Sequence, residues 1–183
     1  ELEGQEHYFQ AGLTALSKIA PTYLGIGKKQ TSKALHEMAD VTTTIFDGPC
    51  PAGNVGVQIN NISPINKGEI VWTVEPTAVL FFGRLFLDGV VDLRRTVAVA
   101  GGQVKSPSYM DVLVGTPIST ILKDNVIEGN NRIINGNPLT GTPVTDDATA
   151  YIGAHTSEVT VIPEGDDADE FVGWIMPRVS QFS

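Results

Sequence analysis

Cysteine is almost missing from this sequence. Cys50 is the only one in 183 residues, which excludes an internal disulfide, a CxxC redox pair and an iron–sulfur cluster held by this chain's thiolates alone. Histidine is nearly as scarce: His7, His36 and His155 show neither HxxH nor HExxH spacing, so there is no zinc signature. Twelve Lys and Arg stand against 21 Asp and Glu, a net charge of −9. Without a clustered basic patch, such a chain is not built to neutralise nucleic-acid phosphates. Long apolar runs are missing too. The most hydrophobic stretch, IVWTVEPTAVLFFGRLFLDGVV, is broken by Glu75, Pro76, Arg84 and Asp88, whereas a membrane helix needs about 18 or more largely uncharged residues. There is no signal-peptide pattern, internal repeat or low-complexity tract, and a thiol-poor acidic domain fits a reducing compartment.

What is present is an ordinary globular mixture, 42% hydrophobic and 18% charged, long enough for one large domain or two small ones. The chain begins at Glu1 without methionine and ends at SQFS directly after an apolar stretch, so a piece of a longer polypeptide is expected.

The first half alternates helix and strand. In GQEHYFQAGLTALSKIA, Phe9, Leu13, Leu16 and Ile19 form a helical stripe, with Lys18 near the end where a cation suits the dipole, and Pro21 stops it. TYLGIG reads as a strand, SKALHEMA as a helix capped by Thr31 or Ser32, and VTTTIF as a β-branched strand. After the turn residues Asp47, Gly48, Pro49 and Pro51, Val55, Ile59 and Ile62 form an apolar helical face. EIVWTV reads as a further strand. Pro76 then opens a helix through TAVLFFGRLFLDG, apolar on most sides as if buried between layers, with Gly89 as its stop. Such alternation predicts a parallel sheet flanked by helices.

From Arg94 the pattern changes. RTVAVAGGQV and SYMDVLVG read as arms of a hairpin, and Thr116–Pro117 supplies a cap and first position for the helix ISTILKDN. NRIING, SEVTVIPEG and EFVGWIMP follow as β-like pieces; in the second, Val159 and Val161 alternate with Thr160 and Ile162. Hairpin, helix, then strands is the order of a β-grasp. The fold class expected is therefore α/β plus α+β: a Rossmann-like βα portion at 1–93, then a β-grasp domain and following strands at 94–183.

No single motif carries chemistry. Gly101–Gly102 in AGGQVKSPSYM has neither the GxGxxG nor the GxxxxGKS/T spacing, and β-like sequence follows where a phosphate site needs a helix N-terminus. It reads as a hairpin turn, with Lys105 and Pro107 shaping the return strand. GPCPAGNVG does open a helix, but its prolines remove donors where an anion needs them. Cys50 sits near that helix start, where a thiol is activated, yet no nearby histidine supports a nucleophile, so it reads as a packed or exposed thiol. The acids of PEGDDADE lack EF-hand spacing and read as a solvated turn. Trp72 and Trp174 lie in strand-like runs and read as core residues. No catalytic, cofactor-binding or metal-ligating residue is assigned.

Several blocks taken together carry a resemblance. FQAGLTAL, GPCPAGNVG, KGEIVWTV, GRLFLDG, VAVAGGQVKSP, RIINGNPLTGT, VTVIPEGD and GWIMPRVSQFS closely resemble, in order and along the whole chain, the NqrA family of the bacterial sodium-translocating NADH:quinone oxidoreductase (Nqr). The layout is also similar to the C subunit of the Rnf complex and the flavin-bearing subunit of respiratory complex I, where a Rossmann-like portion precedes a soluble-ligand-binding β-grasp (SLBB) domain. The match corresponds to a middle-to-late piece of the family. The flavin subunit's glycine-rich loop lies upstream of it, and its cluster cysteines have no counterparts. Cys50 and VQINNI depart from HPAG-type and HIH-type members that carry histidines there.

The resemblance implies a peripheral component at the cytoplasmic face of the bacterial inner membrane, attached through the other Nqr subunits. It would act in assembly and at the quinone-reducing end without its own redox centre. Ubiquinone would be the substrate of the complex, and NADH and flavins would be bound by other subunits. Two further readings stand beside it: a stand-alone soluble-ligand-binding β-grasp module, and an independent nucleotide-dependent enzyme built on the Rossmann-like half, which the missing phosphate loop opposes.

Overall fold

In the computed structural model, which describes residues 2–145 and 149–165, the chain divides into two units, Glu1–Leu93 and Arg94–Ser183. The first unit is built around a helix pair. Helix α1 (Glu6–Ser17) buries Phe9, Gly12 and Leu13, and packs on α4 (Pro76–Asp88), which buries Thr77, Val79, Leu80, Gly83 and Arg84. The backbones approach closely: a Cβ on Gly12 would collide with the Val79 carbonyl, and one on Gly83 with the Tyr8 carbonyl. Polar contacts fix the pair at its rim. The Tyr8 hydroxyl donates to Asp88 Oδ2 at 2.8 Å. Arg84, almost fully buried, donates to Gln5 Oε1 at 2.5 Å and to the Asp92 carbonyl at 3.3 Å. Pro76 occupies the first turn of α4, and Gly89 ends it in the left-handed region at φ 70°, as the sequence requires.

Strands β1 (Tyr23–Gly27) and β2 (Thr42–Phe46) pair in parallel, Ile26 beside Ile45, across a crossover that contains the single-turn helix α2 (Lys33–His36). This is the expected βα alternation. Ser32 stands at the N-cap of α2 but makes no side-chain cap, and Thr31 lies outside the helix. Helix α3 (Val55–Ile62) is capped by Asn54, whose Oδ1 accepts from Gly56 N at 3.2 Å.

Three expectations fail in this unit, for one reason. EIVWTV forms no strand: residues 69–74 belong to no ladder, because among the described residues this sheet consists of β1 and β2 and neither pairs with them. Trp72 is accordingly not core but 87% exposed. Helix α4 is buried on one side and leaves Phe86 and Leu87 exposed on the other. In each case the apolar pattern is there and the covering layer is not.

The second unit closes on itself. β3 (Arg94–Ala100), β4 (Ser108–Leu113), α5 (Ile118–Ile121), β5 (Asn131–Asn135), β6 (Thr142–Pro143) and β7 (Glu158–Pro163) form a five-stranded sheet, order β4-β3-β7-β5-β6, with one helical turn packed on it. Among the described strands β3 and β7 pair in parallel and the other ladders are antiparallel. Val97, Val99, Val159 and Val161 of the two central strands are sealed against Ile118, Ile121, Leu122 and Ile152. This mixed sheet around one helix is the β-grasp layout expected. Helix α5 is shorter than ISTILKDN, and Pro117 rather than Thr116 takes the N-cap position, without a side-chain bond. EFVGWIMP and Trp174 lie outside the described residues.

Three outcomes follow for this unit. Gly83→Ala should lower stability by about 1–3 kcal/mol in chemical denaturation, because the new methyl meets a backbone carbonyl that cannot swing away. Gly27→Ala, whose Cβ would meet nothing within 4 Å, should be neutral or slightly stabilising. The hydrogen bond to Asp88, reinforced by its charge, raises the Tyr8 pKa above the usual tyrosine range. That contact is intact below the unfolded-state pKa and is lost as pH rises through the folded one. Tyr8→Phe should therefore lower the melting temperature at neutral pH, and its difference from wild type should vanish in strongly alkaline buffer.

Candidate functional site

The glycine pair lies where β3 passes into β4. Gly101 has φ 121° and sits against β7 so closely that a Cβ would collide with the Val161 carbonyl. That same carbonyl accepts from Gln103 N at 3.1 Å, and Val104 N donates back to the Gly101 carbonyl at 3.1 Å. A Cβ on Gly102 would meet nothing within 4 Å. The connection continues along the 124–127 segment: Lys105 N donates to the Asn125 carbonyl at 2.9 Å, Ser106 N to Asn125 Oδ1 at 2.9 Å, and Ile127 N to the Gln103 carbonyl at 2.9 Å. The backbone donors of Gln103–Ser106 are thus engaged inside the fold, and antiparallel β4 follows instead of a helix N-terminus. The geometry is that of a strand connection, longer than a tight hairpin turn, and not of a phosphate cradle.

The loop before α3 is closed in the same way. Ala52 N donates to the Pro49 carbonyl at 2.9 Å, Asn54 N to the Pro51 carbonyl at 2.8 Å, and Gly56 N is taken by the Asn54 cap. Pro49 and Pro51 contribute no donor. The Cys50–Pro51 peptide is cis. Cys50 is a free, exposed thiol, and Lys28 pairs with Asp47 at 2.6 Å in solvent.

Each histidine has its own surroundings. His7 stacks on the Tyr8 ring at 3.9 Å, His36 Nε2 lies 3.0 Å from the Gln30 carbonyl, and His155 lies in the exposed connection before β7. Among the described residues no three His, Cys, Asp or Glu side chains come together to hold a metal ion. Of the PEGDDADE acids, 166–170 lie outside the described residues. Glu164 instead receives a forked bond from Arg132, with Nε 3.1 Å from both carboxylate oxygens, and this holds its pKa below the usual glutamate range.

Sequence reasoning missed two features. One is a side-chain clasp on β5: Asn135 Nδ2 donates to the Tyr151 carbonyl at 2.9 Å, and its Oδ1 accepts from Thr156 Oγ1 at 2.7 Å, which in turn accepts from Gly153 N. The partners are about twenty positions apart, so no local pattern announces them. The other is the outer strand β4, which presents Tyr109, Met110 and Leu113 to solvent at the sheet edge. Their type is suited to protein contact, and alternation alone did not tell which side of the hairpin stays open.

The similarities to known proteins match this division. Residues 1–91 match the family description "NqrA second alpha/beta domain", and residues 96–146 match "NQRA C-terminal domain". Among curated relatives, the NqrA protein of the Na(+)-translocating NADH-quinone reductase from Vibrio atlanticus (strain LGP32) is 34% identical over 179 residues, covering 98% of this chain and 40% of its own length. Proteins of the same description from Pasteurella multocida (strain Pm70) and Neisseria meningitidis serogroup A are 34% and 32% identical, each over 96% of this chain and 39% of their own length. The chain spans about two fifths of the length of the curated relatives it matches.

Gly101→Ala should destabilise the second unit by about 1–3 kcal/mol, while Gly102→Ala should change stability by less than about 0.5 kcal/mol. Urea denaturation of the two variants separates a packing role from a ligand role, for which the exposed Gly102 would be the sensitive position.

Proposed function

The chain belongs to the NqrA family, and on that premise we propose that it forms the α/β and β-grasp parts of the NqrA component in a sodium-translocating NADH–quinone reductase. The succession of the two family matches, 1–91 then 96–146, is the observation that carries this reading. In it the whole complex moves electrons from NADH to ubiquinone and transports Na⁺. This part works as a peripheral scaffold at the quinone-reducing end, on the cytoplasmic face of the membrane, while NADH and flavins are bound by other subunits.

The bonds made by Gln103–Ser106 and by Ala52, Asn54 and Gly56 within the fold support a structural part for the two glycine-bearing loops. No helix among the described residues is long and apolar enough to cross a membrane, so in this reading attachment runs through partner subunits. The apolar edge at β4, open among the described residues, is a surface of the right kind for one of them. The division at Leu93 between the two units is read as the functional domain boundary.

Deleting residues 94–183 from the full-length protein should abolish its co-purification with the remaining Nqr subunits and the NADH-driven quinone reduction of the membranes. Normal assembly and normal quinone reduction in that deletion would refute the scaffold role.

A further inference from the structure

The two units differ in how completely they are covered. In the second, the central strands are sealed on their core side. In the first, the sheet among the described residues is a two-stranded parallel ribbon with no strand on either outer edge, a form that is marginal alone and that in parallel sheets is normally covered on both faces. Ile26 and Ile45 are register partners, so their side chains leave the ribbon on one face. Ile26 is 6% exposed, Ile45 57%. The α1–α4 layer therefore covers β1 and stops short of β2. Downstream, Ile70 and Trp72 are 81% and 87% exposed, with Val71 and Val74 beside them. An aromatic and three branched aliphatic residues in solvent within five positions exceed the scattered exposure usual on a soluble surface.

We infer that the Ile45 side of β2 and the Ile70–Val74 segment are buried, in the full-length protein, by polypeptide of the same chain lying outside these 183 residues. Length supports that occupant: this chain spans 40% of a relative such as the Vibrio atlanticus protein, so the family has ample chain to supply it. Placement supports it too. The uncovered surface falls within residues 1–91, whose family description makes this α/β domain the second in order. Chemistry points the same way. Ile45, Ile70, Val71, Trp72 and Val74 offer apolar area without a charge among them, the character of a domain core and not of a transient polar interface. A bilayer is a poor occupant, because the six-residue stretch 69–74 begins with Glu69, is followed by Glu75, and is far shorter than the roughly 20 residues of a spanning helix.

The test uses the full-length protein, both isolated as a monomer and assembled with its partners. Hydrogen–deuterium exchange is followed on peptides covering 42–46 and 69–74, and hydroxyl-radical footprinting compares Trp72 with Tyr109, the latter 81% exposed. In the isolated monomer both peptides should exchange at least about tenfold more slowly than the exposed turn at 66–68, and Trp72 should be several-fold less reactive than Tyr109 after correction for intrinsic reactivity. Protection that appears only on assembly would assign the surface to a partner protein and overturn the inference. Protection that requires self-association, or that is already complete in residues 1–183 alone, would overturn it as well, as would a Trp72 that stays reactive in every state.

Discussion

Backbone pressed directly on backbone is the constraint on which both units depend. At Gly12 and Gly83 the helices α1 and α4 come together with no room for a side chain, the obstacles being the carbonyls of Val79 and Tyr8. At Gly101 the end of β3 meets the carbonyl of Val161 in the same way. A flexible side chain can move aside for a methyl group, but a carbonyl fixed in a helix or ladder cannot, so these contacts leave little choice of residue. The close helix pair lets Leu80 disappear completely from solvent and brings Tyr8 within reach of Asp88. The close strand contact seats the 101–107 connection on β7 and, through it, the 124–127 segment.

Once these contacts are made, the units diverge. The β-grasp unit has layers enough to seal its central valines, and inside it Asn135 and Thr156 satisfy one another and the neighbouring backbone. The α/β unit has a well-packed helix pair but only a two-stranded ribbon, and much of its apolar sequence remains in solvent.

Much of the architecture was legible in the sequence because the local signals agree with the tertiary outcome. The β-branched runs TYLGIG and VTTTIF are strands, Pro76 and Gly89 bracket α4, and the hairpin arms on either side of Gly101 are β3 and β4. The change of pattern near Leu93 reflects a change from βα alternation to hairpin-rich sequence. Where the reading of local pattern went wrong, at EIVWTV, Trp72 and the outer face of α4, the error was uniform. An apolar, β-branched pattern states that a segment is fit to be covered, and says nothing about whether its cover lies within the same stretch of chain. The candidate site was less legible, since its polar clasp joins residues far apart in sequence.

The sequence by itself determined the elements, their order and what they exclude: one thiol, scattered histidines and few cations leave no metal or nucleic-acid signature, and the ordered blocks mark the family. Only the tertiary structure decided what the glycines are for. Whether Gly101 cradles a ligand or accommodates a neighbouring strand depends on which atoms lie within a few ångströms of its Cα, and those atoms belong to Val161, about sixty residues away. Spacing along a chain sets turns and caps, because these are made by near neighbours. Close approach between distant segments is set by packing, and only folding brings them together.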